Sequence, residues 1–190
     1  MAPLMEVQEL PLEDLKLLRP KVFADDRGFF LEPWNAARMK SIGLDLTFVQ
    51  DNHSRSTRGT IRGMHLQKSN VVVPGQAKLI RCSRGSITDV VVDVRPWSKT
   101  FRKHHAVTLD DVKHEQLFVP IGFAHGFCVT SDVADVTYKV TSFYDPTTEC
   151  GFRFDDPTVG IAWPVTSSEA VVSGRDRTAP TLDELLKTLY

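Results

Sequence analysis

The segment Gly59-Thr60-Ile61-Arg62-Gly63-Met64-His65-Leu66-Gln67 places an arginine and a histidine around a strand-breaking glycine. Histidine is the side chain most easily tuned to take a proton near neutral pH, so His65 is a candidate general base. The same residue also suits a structural place in a sheet wall. Strict alternation puts His65 on the face of Ile61, Gly63 and Gln67, and Arg62 on the other. Both reach one ligand only if the strand twists or bulges near Gly63. Lys78, in Gln76-Ala77-Lys78-Leu79-Ile80-Arg81, shares a face with Ile80 and Cys82. If that face is inward, its ammonium needs a partner, and a partly negative ligand oxygen is a natural one. A lysine at a strand end reaching solvent is the alternative. His125 stands among the small residues Gly122, Ala124 and Gly126, which let another group approach closely. Tyr138 lies on an apolar face, where its phenol either has a hydrogen-bond partner or serves as a proton donor. Near the N-terminus, Arg27 and Glu32 flank Phe29 and Phe30. That set could grip a phosphate and an aromatic base, or form an edge strand with ordinary surface charges.

The elements that must hold these residues are mostly strands. From about residue 46 to 145 the pattern has period two. Ser86–Val94 reads as a strand, and Ala134–Thr141 alternates Ala134, Val136, Tyr138 and Val140 against Asp135, Thr137, Lys139 and Thr141. Gly and Pro, 11 each, are spread along the chain and punctuate short elements. Helix is expected only at the margins. Asn35 is a candidate N-cap and Gly43 a C′ residue for one helix. Thr181 and Glu184 form a capping box before the stripe Leu182, Leu185, Leu186 and Leu189. The expectation is an all-β antiparallel sandwich or barrel with short peripheral helices, in one domain over residues 1–190.

Composition narrows the function classes. Twenty-three Lys and Arg against 24 Asp and Glu give a net charge of −1, so no basic excess favours a nucleic-acid partner. No apolar run is long enough for a membrane span, and the first ten residues lack the core of a secretion signal. Cys82, Cys128 and Cys150 are too few and scattered for a disulfide framework, which fits reduced thiols in a cytoplasm. The histidines are His53, His65, His104, His105, His114 and His125. Gln67 stands where a jelly-roll metal site would carry its second histidine, and His104 and His105 face opposite ways on a strand. No phosphate loop, dinucleotide fingerprint or nucleophile elbow is present.

The segments FADDRGFFLE, FVQDNHSRSTRGTIRGMHLQ, QAKLIR, DVVVDVRPWSKTF, VPIGFAHGF, VTYKVTSFY, DDPTVGIAWP and SGRDRTAP, in this order from Val22 to Pro180, together resemble the dTDP-4-dehydrorhamnose 3,5-epimerase family. The resemblance implies a cupin-type β jelly roll, a homodimer, no metal and no other cofactor. It implies His65 as general base, Asp176 as the carboxylate that orients it, Tyr138 as general acid across the sugar and Lys78 near the C4 keto oxygen. It implies His125 and Arg62 as substrate contacts, Arg62 toward the diphosphate, and Tyr144 as the ring that stacks on thymine. Gln50 and Asn52 are implied nucleotide contacts. Arg27, Phe30 and Glu32 are others, supplied by a strand exchanged between subunits. The stretch 68–75 departs from the family's usual linker, being more apolar, and could border the sugar pocket. The implied substrate is a dTDP-4-keto-6-deoxyhexose, inverted at C3, C5 or both. A C4 ketone acidifies both positions, so the chemistry requires a base, an acid on the opposite face and a cation at the enolate oxygen. Metal-dependent cupin chemistry and non-catalytic binding of a sugar nucleotide are the rival classes.

Overall fold

Short alternating runs build most of the chain into strands, and the computed structural model describes residues 3–69 and 75–189. Residues 70–74, the centre of the divergent 68–75 stretch, lie outside the described residues. In chain order the first elements are β1 (Met5–Glu9), β2 (Lys16–Pro20), β3 (Val22–Asp25), β4 (Gly28–Leu31), α1 (Ala36–Ser41), β5 (Gln50–Thr57) and β6 (Thr60–Gln67). Then come β7 (Lys78–Arg84), β8 (Ser86–Asp93), β9 (His104–Asp110), β10 (Gln116–Val119), β11 (Phe123–Val129) and β12 (Val133–Val140). The last are β13 (Glu149–Gly151), β14 (Val171–Val172), α2 (Gly174–Arg177) and α3 (Leu182–Leu189).

One sheet has the order β1-β2-β10-β7-β12-β5, and the other β13-β6-β11-β8-β9 with β14 beside β6. All pairings are antiparallel except the short β14–β6 contact. The sheets face each other over a core that includes Leu17, Ile80, Ile87, Val91, Leu117, Phe127 and Val136. This is the expected antiparallel jelly-roll sandwich. Strand β8 is buried on both faces: Ile87 and Val91 enter the inner core, whereas Val90 and Val92 pack outward against Phe152, Leu182 and Leu185. That double burial explains its nearly unbroken apolar run. Each such side chain contributes about 1.5–3 kcal/mol on burial.

Strands also occur before residue 46, where the sequence shows no clean period two. β1 and β2 extend the first sheet, and β3 and β4 form a separate two-stranded ribbon. The caps stand where expected. Asn35 accepts a hydrogen bond from the Arg38 amide at the start of α1. Thr181 and Glu184 exchange side chain-to-backbone bonds at the start of α3. Helix α2, four residues long, is not apparent in the sequence pattern.

The face conflict at Gly63 is resolved by a bulge. His125 pairs with His65, yet two residues on, Phe127 pairs with Arg62, so β6 carries one extra residue between them. Gly63 has φ +148, and a Cβ there would stand 2.6 Å from the Gly126 Cα. Only glycine allows β6 and β11 to approach so closely while β6 turns Arg62 and His65 toward one side.

Candidate active site

The two sheets enclose a cleft of about 690 Å³ whose walls include Arg62, His65, Lys78, His125, Tyr138 and Asp176. These six sequence-predicted residues come from five elements: β6, β7, β11, β12 and α2.

His65 Nε2 donates to Asp176 Oδ1 at 2.7 Å. The carboxylate is itself held in place. Ser173 caps α2 by accepting from the Asp176 amide at 3.1 Å, and the Gly63 amide donates to Asp176 Oδ2 at 3.4 Å. Burial pushes the Asp176 carboxyl upward, but the His65 hydrogen bond and charge outweigh it and hold the group below the usual carboxylate range. With Nε2 engaged, Nδ1 is the nitrogen left to accept a proton.

Lys78 is 8 % exposed, and its Nζ donates to the His65 carbonyl at 3.4 Å. Burial lowers its pKa to about 8, against the attraction of Asp89 and Glu149. Most of the ammonium therefore remains charged at neutral pH. Tyr138 is half-buried, and burial raises its phenol above the ordinary value although Arg62 opposes the shift. It thus keeps its proton at neutral pH, as a donor must. His125 Nε2 donates to Asp89 Oδ2 at 2.9 Å. Burial lowers its pKa despite that carboxylate, so the imidazole is neutral at pH 7. Arg62 Nε donates to Ser56 Oγ, which steers the guanidinium along the wall formed by β5.

Gln50, Asn52 and Tyr144 line a smaller recess that shares His65, Lys78 and Tyr138 with the cleft. Gln50 donates to Asn52 Oδ1 and accepts from the Tyr144 amide, so the three are tied together. Arg27, Phe30 and Glu32 are not brought to this cleft. Arg27 pairs with Asp25 in the β3–β4 turn, Glu32 accepts from Arg38 and Asn35, and Phe30 is 69 % exposed. Among the described residues no cluster of three His, Cys, Asp or Glu side chains has the arrangement to hold a metal ion. No described helix is long and apolar enough to cross a membrane.

Sequence reasoning missed Asp89, Glu149 and Arg175. Arg175 holds Glu149 through two hydrogen bonds and brings Nη2 within 3.4 Å of His65 Nε2. Tyr144 donates its hydroxyl to the same Glu149 at 2.7 Å. A signal existed for Asp89: a carboxylate between Ile87 and the apolar run Val90-Val91-Val92 of one strand implies a buried partner. None existed for Glu149, which belongs to a three-residue edge strand.

A sequence model of the dTDP-4-dehydrorhamnose 3,5-epimerase family matches residues 9–184. The chain belongs to this family. It is 44 % identical over 184 residues to the dTDP-4-dehydrorhamnose 3,5-epimerase of Escherichia coli (strain K12), covering 96 % of this chain and 97 % of that protein. It is 39 % identical over 181 residues to the dTDP-4-dehydrorhamnose 3-epimerase of Streptomyces niveus, covering 95 % and 85 %. Among solved structures it is similar to the dTDP-6-deoxy-D-glucose-3,5-epimerase of Legionella pneumophila Philadelphia 1 in complex with dTDP-4-keto-L-rhamnose. There the TM-score is 0.91 at 37 % identity, over 97 % of this chain and 96 % of that one. The cupin-type jelly roll of the epimerase family is thus the fold of this chain.

Proposed function

We propose that this epimerase inverts C3 and C5 of a dTDP-4-keto-6-deoxyhexose through enolate intermediates. The observation that carries the reading is the His65–Asp176 pair facing the same cleft as Tyr138 and Lys78. His65 Nδ1 removes the proton next to the ketone. The Asp176 carboxylate fixes the ring and stabilises the imidazolium that forms. The electron pair moves onto the C4 oxygen, where the Lys78 ammonium lies in a low-dielectric wall and stabilises the negative charge. Tyr138 then returns a proton to the carbon from the opposite face. These are proton transfers alone, so the reaction calls for neither metal nor redox cofactor.

Arg62 and His125 contact the substrate, Arg62 at the diphosphate. Gln50, Asn52 and Tyr144 take the nucleotide in the adjoining recess. The chain acts as one domain and as a homodimer, and its β3–β4 ribbon supplies Arg27, Phe30 and Glu32 to the partner's site. The exposed Phe23, Phe29 and Phe30 support this, since an apolar ribbon favours a covering surface. Three free thiols suit the cytoplasm.

Proton NMR of dTDP-4-keto-6-deoxyglucose with the enzyme in deuterated water tests the reading. Deuterium is expected at both C3 and C5, with L-rhamno configuration in the product. Exchange at C3 alone would assign the chain to the regiochemistry of the Streptomyces niveus relative. No exchange at either carbon would refute the activity.

A further inference from the structure

Behind the proposed acting groups lies a second carboxylate that the proton-transfer scheme does not use. Asp89 lies on the inner face of β8, is completely buried, and holds His125 Nε2 with Oδ2. Its other oxygen, Oδ1, is buried with no hydrogen-bond partner among the described residues. A buried carboxylate oxygen left unpaired is costly, and a structure retains it only where another group offsets the charge. The cation available is Lys78, on the strand of the facing sheet. Asp89 exerts the largest attraction on its ammonium, ahead of Glu149. Among the described residues Lys78 itself has only the long 3.4 Å contact to the His65 carbonyl, which leaves its ammonium free to turn either to a substrate oxygen or to Asp89.

We propose that Asp89 is a positioning residue for the epimerase reaction, fixing His125 through one oxygen and serving as counter-charge to Lys78 through the other. The proposal rests on the reading of Lys78 as the group at the C4 oxygen. Other charged or titratable groups facing Lys78 are His65 and Arg62 on β6, His125 on β11, Tyr138 on β12, Glu149 on β13, and Arg175 and Asp176 on α2. Of the two carboxylates in that set, Asp176 is committed to His65, and Glu149 to Arg175 and Tyr144. Asp89 alone has an oxygen to spare. Its charge keeps the ammonium protonated through the pH range in which the enolate must be stabilised. By holding Nε2 of His125 it also leaves the opposite ring nitrogen toward the cleft.

The experiment is a titration of Lys78 by NMR in protein labelled with [ε-13C]lysine, the resonance being assigned with Lys78→Arg. The wild-type midpoint is expected near pH 8. In Asp89→Asn it should fall by about one pH unit, as expected when a nearby opposite charge is removed. The alkaline limb of kcat should move down with it, while KM changes by less than about twofold. A kcat reduced equally at every pH, with the Lys78 midpoint in place, would show a structural role and overturn the proposal. If Asp89→Asn does not fold, His125→Gln serves. It retains Asp89, so the midpoint should stay or rise, and a fall would assign the counter-charge role to His125 and overturn the proposal. The titration needs no substrate. Failure of the wild type to exchange protons of a 4-keto sugar would therefore strike the functional reading and leave this test standing.

Discussion

The cleft and the β3–β4 ribbon hold their polar side chains in opposite ways. In the cleft each histidine has a buried carboxylate behind it, Asp176 for His65 and Asp89 for His125. In the ribbon, Arg27 is tied to a neighbour two residues away, Phe29 has one face against His114, and Phe30 is largely exposed. Only the first arrangement is preorganised: its groups have already lost their freedom and their water before a ligand arrives. The ribbon is made of similar residue types with little buried backing, as the proposed exchange between subunits requires.

The largest expected effect lies in the cleft. His65→Ala should cut deuterium incorporation at C3 and C5 by about 10³-fold or more, measured by NMR. Wild-type exchange in that variant would erase the distinction, because the best-backed group would then do nothing. Tyr138→Phe separates the two halves of the reaction. Inversion should fall about 10²-fold while exchange falls less than tenfold, because removal of the proton does not need the phenol; equal losses would end its assignment as the acid.

The ribbon should respond in binding. Arg27→Ala combined with Phe30→Ala is expected to raise KM about tenfold, roughly 1.4 kcal/mol, with kcat within about threefold. Mixed with His65→Ala subunits, that variant should regain a wild-type KM, since one site of each mixed dimer then has both an intact base and an intact ribbon. Failure to complement after demonstrated subunit exchange would return the ribbon residues to their own chain. The last effect is on stability rather than turnover. Lys78 is held near pH 8 rather than its ordinary 10.5, so below pH 8 its charge is buried at a cost of about 3 kcal/mol. The native state releases this proton before the unfolded state does, so stability rises with pH between about 8 and 10.5. Lys78→Met should therefore abolish the rise in urea stability between about pH 8 and 10.5, while Arg27→Met leaves the profile unchanged.

Much of this division was legible in the residues, for physical reasons that differ by element. Alternation in Ala134–Thr141 placed Tyr138 inward because one face of that strand packs on the core. The caps of α1 and α3 were legible because they are made within four residues. The bulge at Gly63 could be stated only as a condition, since a register shift belongs to two strands at once. Asp89, at the head of an apolar run, signalled a buried partner, but which partner was not legible because His125 lies 36 residues away. The convergence of His65, Lys78, Tyr138 and Asp176 came from family resemblance, as no local pattern brings β6, β7, β12 and α2 together.

One feature of the dyad concerns time. His65 and Asp176 are 111 residues apart. At about 5–20 residues per second, a ribosome delivers the carboxylate roughly six to twenty seconds after the histidine. Throughout that interval His65 lacks the carboxylate that the complete fold sets against it. A chain halted just before α2 would hold every described strand and lack Asp176, so on the proposed mechanism competence arrives only in the last moments of synthesis, as a single event.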